Sequence, residues 1–320
     1  MDFNKKKVGL FYALFILVIS LFLTGCQATD EDPAVEGPYV GGTQGVTFAF
    51  QEYEPPESVL DDGQQEFYIT LALRNMGEYT VPEGKAIASL SGIDSNAFSL
   101  SSMDTTNDVP ITGVASDQGF VLAGGEELLE FEQASYINDV SANIPLQLFA
   151  SLCYEYKTQG LTNLCLKKDV VKKSIEDVCD TNDPAKEVYN SGAPVQVSGM
   201  RQKAIGSNKV QITFTVQNVG TGIVYLPDTF TDSCKGGGDN EDYVRISLLN
   251  PQNNFVPECS AFGKSSSGDV RLVNGKKEIT CTIDTSALQD VSYQDLLLID
   301  VDYVYREGVI TSLTVENAVV

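Results

Sequence analysis

The chain has 320 residues and is strongly acidic, with 21 Lys and Arg against 44 Asp and Glu and a formal net charge of −23. Such a charge repels nucleic acid and anionic lipid headgroups, so we expect neither as a partner. Histidine is absent, which excludes Ser-His-Asp triads, Cys-His pairs and His-ligated metal sites. No other catalytic constellation is visible, so we expect no enzyme, no cofactor and no metal.

The N-terminus begins with three lysines at 5–7, followed by the apolar run VGLFYALFILVISLFL (8–23). A basic start and a short apolar core are typical of a secretory signal. The run ends in Leu23, Thr24, Gly25 and Cys26. These four residues resemble the lipobox of bacterial and archaeal lipoproteins, and the resemblance implies cleavage before Cys26 and attachment of a diacylglyceride to its sulfur. Residues 1–25 are then a signal peptide, and the protein is lipid-anchored on the extracytoplasmic face of the cell membrane.

Two other interpretations of the N-terminus stay open. The apolar run is a little shorter than the ~20 residues that a spanning helix prefers, but an uncleaved anchor helix is one alternative. A type IV pilin-like signal cut near Gly9 is the other. Residues 26–45 are polar, acidic and rich in Gly and Pro, which predicts a flexible tether with a reach of roughly 60 Å.

A repeated strand motif follows the tether. The segments FYITLALRNMG (67–77) and VQITFTVQNVG (210–220) alternate apolar and polar residues, and a period of two predicts half-buried strands. Each ends in Asn-x-Gly, residue types that tolerate the positive φ of a turn. We expect one face, including Leu71 and Phe214, to be buried and the other, including Thr70 and Thr213, to be exposed. The predicted buried residues are Phe67, Ile69, Leu71, Leu73, Val210, Ile212, Phe214 and Val216.

Two further landmarks recur in the same order. The segments VLAGGEELLEF (121–131) and RLVNGKKEITC (271–281) each place a two-residue turn between apolar strands, which predicts hairpins at Gly124-Gly125 and Asn274-Gly275. The segments YEYKTQGLTNL (154–164) and YVYREGVITSL (303–313) each carry Tyr-x-Tyr, a basic residue and a Gly-containing stretch, which predicts a closing hairpin. Three landmarks repeated at similar offsets indicate one fold present twice.

Short alternating strands with frequent turns favour an all-β fold of two tandem antiparallel Ig-like β-sandwich domains. We place domain 1 at 46–168, a connector with one short helix around 172–178 at 169–192, and domain 2 at 193–320. The Asn-x-Gly strand and the Tyr-x-Tyr segment resemble Ig-like modules of prokaryotic surface proteins, notably the CARDB-type adhesion-related domains. The whole arrangement resembles archaeal surface lipoproteins with tandem sandwiches.

Seven cysteines are present. With Cys26 acylated, six remain, an even number in an exported chain, which predicts up to three disulfides. Fifteen pairings are possible; the one we favour joins the hairpin pair Cys153–Cys165, the domain 2 pair Cys259–Cys281, and the connector to domain 2. The six candidates are Cys153, Cys165, Cys179, Cys234, Cys259 and Cys281.

Several residues are candidates for surface sites. The Tyr-x-Tyr pairs could form a stacking surface, but residues two apart share a sheet face, so we expect them to pack inside. We expect Lys157 and Arg306 to be solvated charges at the hairpin turns. The acidic residues Asp239, Glu241 and Asp242 carry oxygen ligands for Ca²⁺, although solvated loop charge is the simpler interpretation. The candidate tyrosines are Tyr154, Tyr156, Tyr303 and Tyr305.

Two similar modules on a membrane tether suit interaction rather than chemistry. We therefore expect a non-catalytic surface protein for adhesion or envelope assembly, with an unknown protein or glycan partner. The alternative is a lipoprotein that captures a carbohydrate or a cation in a cleft between the domains, or a pilin-like surface subunit.

Overall fold

The computed structural model describes residues 37–234 and 240–318, apart from the side chain of residue 233. The fold is all-β, and almost all strand pairs are antiparallel. The described residues form one compact unit, and a single hydrophobic core runs through both copies of the repeat. We call residues 46–168 the first half and residues 193–318 the second half.

The first half contains nine strands, of which the last is much longer than the others. They are β1 (Val46–Phe50), β2 (Ser58–Leu60), β3 (Thr70–Asn75), β4 (Ala86–Ser91), β5 (Asp104–Thr106), β6 (Ala115–Asp117), β7 (Phe120–Leu122), β8 (Glu126–Glu130) and β9 (Ile144–Leu166).

The connector contributes β10, and the second half also ends in a long strand. These strands are β10 (Tyr189–Asn190), β11 (Val195–Ala204), β12 (Lys209–Asn218), β13 (Ile223–Tyr225), β14 (Tyr243–Leu249), β15 (Glu258–Cys259), β16 (Ser267–Arg271), β17 (Lys276–Asp284) and β18 (Tyr293–Glu316). Among the described residues, helical structure is limited to α1 (Phe230–Cys234) and the 3₁₀ turns Pro227–Thr229 and Ser260–Phe262.

One nine-stranded sheet joins the two halves. Its main order is β16-β14-β18-β9-β4-β5, with β10 paired to β9, and β13 and β2 paired to β18. Two smaller sheets, β1-β3-β8 and β11-β12-β17-β15, contribute one to each half, and β6 and β7 form a separate two-stranded ribbon. The two copies of the repeat thus share a sheet, and their division into two Ig-like sandwich domains stays a prediction.

The long strands β9 and β18 pair with each other without interruption, from Leu166 opposite Tyr293 to Ile144 opposite Val315. The predicted hairpins within 154–164 and 303–313 are therefore wrong. Each segment pairs with the corresponding segment of the other copy of the repeat. The chain therefore continues in the same direction through Gln159 and through Gly308. Sequence patterns report the strands but not which strand each one pairs with.

The pairing has an internal two-fold relation. With the repeat offset of 149 residues, Tyr154 corresponds to Tyr303 and Tyr156 to Tyr305. The register places Tyr154 opposite Tyr305 and Tyr156 opposite Tyr303, so each residue contacts the counterpart of its neighbour, as in a symmetric dimer interface. The order of the central sheet follows the same symmetry, because β4 flanks β9 as β14 flanks β18.

The repeat is also confirmed in the smaller sheets. Leu71 lies opposite Leu129 in the first half, and Phe214 lies opposite Ile279 in the second. Leu71 and Phe214 are both fully buried, and the six other residues predicted to face the core are buried as well. Thr213 is partly exposed as expected, but the prediction for Thr70 is wrong, because this residue is 1% exposed and its hydroxyl has no hydrogen-bond partner.

The two predicted glycine turns differ. Asn274 and Gly275 both have positive φ, and Val273 bridges to Lys276, so the two-residue turn is confirmed. The prediction for Gly124-Gly125 is wrong, because β7 pairs with β6 and β8 pairs with β3. Gly124 is needed for a different reason: a Cβ there would lie 2.0 Å from the carbonyl oxygen of Asn75.

The predicted connector helix does not form. Residues 172–178 contain only a turn, which Asp177 stabilises by accepting a hydrogen bond from the Ser174 amide at 2.8 Å. Asp177 also pairs with Lys167 at 2.8 Å. These contacts hold the segment against the end of β9, where the helical hydrogen-bond pattern would compete with them.

Candidate functional site

The four tyrosines of the Tyr-x-Tyr segments are buried at the centre of the molecule, each no more than 2% exposed. Neighbouring rings contact at centroid distances of 5.5 to 6.2 Å, in tilted or edge-to-face arrangements. The prediction that they pack the sheet face is confirmed. No ring presents a face to solvent on which a sugar could stack.

The phenol oxygens connect this cluster to the smaller sheets. Tyr154 accepts a hydrogen bond from the Val46 amide at 3.1 Å, and Tyr156 donates to Asn75 Oδ1 at 3.0 Å. Tyr303 shares a hydrogen bond at 3.1 Å with the hydroxyl of Thr158 in β9, which in turn donates to the carbonyl of Val195 in β11 at 2.7 Å. Since buried polar groups must be paired, these bonds fix how the smaller sheets lie on the central one.

Burial also sets the protonation state of the cluster. Desolvation raises the pKa of Tyr154 and Tyr303 well above the usual value for a phenol, and it likewise raises the pKa of Tyr156 and Tyr305. The phenols are therefore neutral at physiological pH and act as hydrogen-bonding core residues.

Lys157 and Arg306 do not lie at turns, so that prediction is wrong. Lys157 lies in the middle of β9 on the face opposite the tyrosines, with its ammonium 3.3 Å from Asp300 and 3.1 Å from Asp302. Burial alone would lower the pKa of Lys157, but the hydrogen bonds and charges of Asp302 and Asp300 together outweigh it and raise the pKa. Arg306 lies over the ring of Tyr225, 5.5 Å from its centroid. Both are packing elements of the sheet face.

The acidic candidates for Ca²⁺ have protein partners where the structure describes them. Glu241 accepts a hydrogen bond from the Tyr225 hydroxyl at 3.3 Å, and Asp242 pairs with Arg271 at 3.7 Å. Asp239 lies outside the described residues. Within residues 37–234 and 240–318, no group of three or more Cys, Asp or Glu side chains is arranged to hold a metal ion.

All six cysteine candidates form disulfide bonds, which are Cys153–Cys234, Cys165–Cys179 and Cys259–Cys281. The Cys259–Cys281 pair is the one predicted. The Cys153–Cys165 pair is wrong because β9 is one continuous strand, and residues twelve apart on it cannot meet. The predicted bond from the connector to domain 2 is wrong because Cys179 returns to the end of β9 instead.

The Cys153–Cys234 bond has a distinct role. It links β9 of the first half to α1 of the second half, across 81 residues of sequence. A small apolar cluster on the face opposite the tyrosines surrounds it, formed by Cys153, Cys234, Tyr225, Phe230 and Val304. The two halves are therefore joined by the β9–β18 pairing and by a covalent bond on the other side of the same sheet.

The β6–β7 ribbon carries three consecutive exposed apolar side chains. Phe120 is 73% exposed, Val121 43% and Leu122 53%. Gln118 and Gly119 both have positive φ and form the tip of this ribbon. The ribbon was not predicted, because residues 121–131 were expected to form another hairpin. The signal for the ribbon was the Gln-Gly dipeptide before the apolar Phe-Val-Leu run.

A second surface feature is an open groove of about 1130 Å³ along part of β18. Its walls include Phe48 of β1, Phe149 of β9, and residues 306–310 of β18. Phe149 and Ile310 are exposed and lie directly opposite each other. No motif of the sequence indicated this groove, since it is created by the strand order.

The lipidation candidate Cys26 and the lipobox residues Leu23, Thr24 and Gly25 lie outside the described residues. Within the described ranges, no helix is long and apolar enough to cross a membrane.

No family model matches the sequence, and no curated protein matches it either. Among solved structures, the adhesin InvE of Yersinia pseudotuberculosis aligns at 10% identity and a TM-score of 0.15, over 84% of this chain. The present chain spans 58% of that structure's length. The serine-rich repeat adhesion glycoprotein Srr1 of Streptococcus agalactiae aligns at 11% identity and a TM-score of 0.18, over 88% of this chain and 99% of that one. TM-scores this low do not establish a shared fold.

Proposed function

We propose that this chain is a non-catalytic, lipid-anchored protein of the extracytoplasmic cell surface that acts in adhesion or envelope assembly. The observation that carries the proposal is the use of cysteine. Six of the seven cysteines pair with one another, as in exported proteins, and the one they do not use is Cys26. That residue occupies the lipobox position where a thioether to diacylglyceride would form.

The architecture supports a display role. The β9–β18 pairing and the Cys153–Cys234 bond make a firm unit from two copies of a repeat, and a polar tether would hold it away from the membrane. Because of the sequence resemblance, we also propose that the two copies are tandem Ig-like modules of the CARDB type in an archaeal lipoprotein. A partner protein or glycan on the cell surface remains part of this proposal.

The β6–β7 ribbon is the contact surface we favour for adhesion. Isolated two-stranded ribbons gain little stability from their own hydrogen bonds, and exposed Phe120, Val121 and Leu122 do not contribute to the core. Contiguous exposed apolar side chains are typical of interaction sites. The ribbon therefore presents a hydrophobic patch on an otherwise acidic protein.

Cell fractionation tests the anchor. Cys26→Ser should move the protein from the membrane fraction to the medium, or leave it unprocessed at its full length. Phe120→Ser is the matched control, because it changes the ribbon without touching the lipobox and should stay in the membrane fraction. Membrane retention of a fully processed Cys26→Ser protein would contradict the anchor.

Cell attachment tests the adhesion role. Cells that carry Phe120→Ser should attach or aggregate less than cells with the unchanged chain, at equal surface abundance. Leu128→Ser is the control, since Leu128 is also exposed, at 54%, but belongs to β8 rather than to the ribbon. Equal attachment of all three strains would contradict a role for the ribbon in adhesion.

A further inference from the structure

One segment of β18 has a hydrogen-bonding edge that no other described strand covers. One edge of β18 pairs with β9. The opposite edge, which we call the outer edge, pairs with β13 at Val304–Arg306 and with β2 at Thr314–Glu316. Between these strands, no described residue pairs with the outer edge of 308–312. We call this opening the β18 slot.

The free backbone groups in the slot can be identified. Thr314 donates its amide to Glu57 on the outer side, at 3.0 Å, and Glu316 accepts there from Asp61 at 3.1 Å. Even-numbered residues of β18 therefore direct their amides and carbonyls outward, since alternate residues of a strand do so. In the slot these are Gly308, Ile310 and Ser312, and all three are exposed.

The corresponding edge of β9 shows what kind of segment can pair with the outer edge of β18. With the 149-residue offset, Gly308 and Ile310 correspond to Gln159 and Leu161 of β9. Those two residues are covered: Leu161 pairs with Tyr189 of β10, and Gln159 accepts a hydrogen bond from the Ser191 amide at 2.8 Å. The equivalent edge of the first half is thus closed by a short antiparallel strand.

The slot lacks the features that normally block strand addition. Edge strands are usually protected by charged residues, proline or bulges, whereas the six residues GVITSL (308–313) contain no charge and no proline. The register with β9 continues through them without a bulge. Beside the slot, Phe149 and Ile310 offer exposed apolar surface on one face of the sheet, and the open groove along β18 borders Gly308 and Ile310.

We propose that the β18 slot binds a short extended segment of a partner protein, which adds as a strand antiparallel to β18. The segment resembles β10 in chemistry: it is uncharged in its centre and pairs with Gly308 and Ile310 as β10 pairs with their counterparts. Strand addition of this kind draws its affinity from main-chain hydrogen bonds. The inference deepens the proposed interaction role and rests on it, but it does not depend on acylation of Cys26.

The β18 strand of a second copy of this chain cannot occupy the slot. Its own β18 carries β13 and β2 on the edge that would have to enter the slot. Only a strand free on at least one edge can be accommodated between them. This geometry favours an extended segment over symmetric pairing of two β18 strands.

The test uses the full chain in detergent and a synthetic peptide with the sequence KEVYNSG (186–192). Amide hydrogen exchange is measured with and without the peptide. We expect exchange at Gly308, Ile310 and Ser312 to slow by roughly tenfold or more at saturation, because each amide gains a hydrogen bond. A peptide N-methylated at the amides that face β18 should give no protection.

Two variants separate backbone pairing from contact with side chains. Ile310→Pro removes a slot amide that has no partner in the described structure, which an edge position tolerates, and should weaken peptide binding by about tenfold or more. Ile310→Thr keeps the amide and should bind nearly as well as the unchanged chain. The N-methylated peptide serves the same purpose without altering the protein.

Three outcomes would overturn the proposal: no protection at the highest soluble peptide concentration, equal binding of the peptide and its N-methylated form, or slot protection that appears on raising the protein concentration alone. The last would identify a second copy as the occupant. None of them bears on membrane anchoring, which fractionation of Cys26→Ser tests separately.

Discussion

The hydroxyl of Tyr156 donates a hydrogen bond to Oδ1 of Asn75, 3.0 Å away and 81 residues earlier in the chain. Two sequence landmarks of the repeat, Asn-x-Gly and Tyr-x-Tyr, are therefore parts of one contact. The same oxygen explains the glycine of the motif, because a Cβ at Gly77 would lie 2.2 Å from it. The second half repeats the glycine contact, because a Cβ at Gly220 would lie 2.1 Å from the Tyr305 hydroxyl.

The glycine contact predicts a specific coupling. Gly220→Ala should lower the free energy of unfolding by about 1–3 kcal/mol, because the methyl group overpacks against Tyr305. In a Tyr305→Phe background the same substitution should cost less, since the clashing oxygen is gone. Denaturant unfolding of the four proteins of this cycle measures the coupling.

Gly77→Ala is the matched control for that cycle. A Cβ there also meets the backbone oxygens of Gly192 at 2.3 Å and Gln44 at 2.6 Å, so Tyr156→Phe should relieve little of its cost. Equal relief at both glycines would contradict this account of the motif.

The repeat predicts equivalent core positions. Leu71→Ala and Phe214→Ala should each lower the free energy of unfolding by roughly 2–5 kcal/mol, because each removes a fully buried side chain. Leu128→Ala, at an exposed position next to buried Leu129, should change it by about 0.5 kcal/mol or less. Denaturant titrations of the three variants give the comparison, and a small effect at Leu71 or Phe214 would argue against the strand register.

The unpaired hydroxyl of Thr70 predicts a stabilising substitution. Thr70→Val keeps the shape and removes a buried polar atom without a partner, so it should raise the free energy of unfolding by about 1 kcal/mol. The equivalent residue Thr213 shares a hydrogen bond with Thr280 at 3.4 Å, and Thr213→Val should give no comparable gain. Thermal unfolding of the two variants distinguishes them, and a loss of stability in Thr70→Val would show that its hydroxyl has a partner.

The connector should loosen in acid. The hydrogen bond from Lys167, followed by that from the Ser174 amide, lowers the pKa of Asp177 from its ordinary 3.8 to about 2. A depressed folded-state pKa contributes stability above the unfolded value, and this stability is lost as the pH falls from about 4 through 2. The Ser174 amide donates a hydrogen bond to Asp177, so its protection from exchange, measured relative to free peptide at the same pH, should fall over that range.

Asp177→Asn is the control for this titration. It cannot ionise, so its Ser174 amide should exchange quickly at every pH, with no transition between pH 4 and 2 beyond that of free peptide. A pH profile identical to that of the unchanged chain would assign the transition to another group.

Local patterns predicted the strand faces of this fold well. The alternation in 67–73 and 210–216 identifies every buried apolar residue there and misses only buried Thr70, since a half-buried strand imposes a period of two. The Asn274-Gly275 turn was also predictable, because Asn and Gly tolerate positive φ. Both residues adopt it here. What local patterns do not contain is the partner of each strand, so the β9–β18 pairing and the shared central sheet were not foreseen.

The errors in the cysteine pairing have the same cause, since the strand partner of β9 was not predicted. Once 154–164 is taken as a hairpin, Cys153 and Cys165 appear to face each other; on a continuous strand they lie far apart. Cys153 instead meets Cys234, across 81 residues. The β18 slot was invisible for the same reason, because an open edge is a property of strand order and not of the residues that form it.

Intact-mass measurement of the protein purified from its native membrane tests the central proposal most directly. We expect a chain that begins at Cys26, carries the mass of a lipid on that residue, and lacks six hydrogens because of the three disulfides. An unmodified chain that begins at Met1 would contradict the proposal that this is a lipid-anchored surface protein.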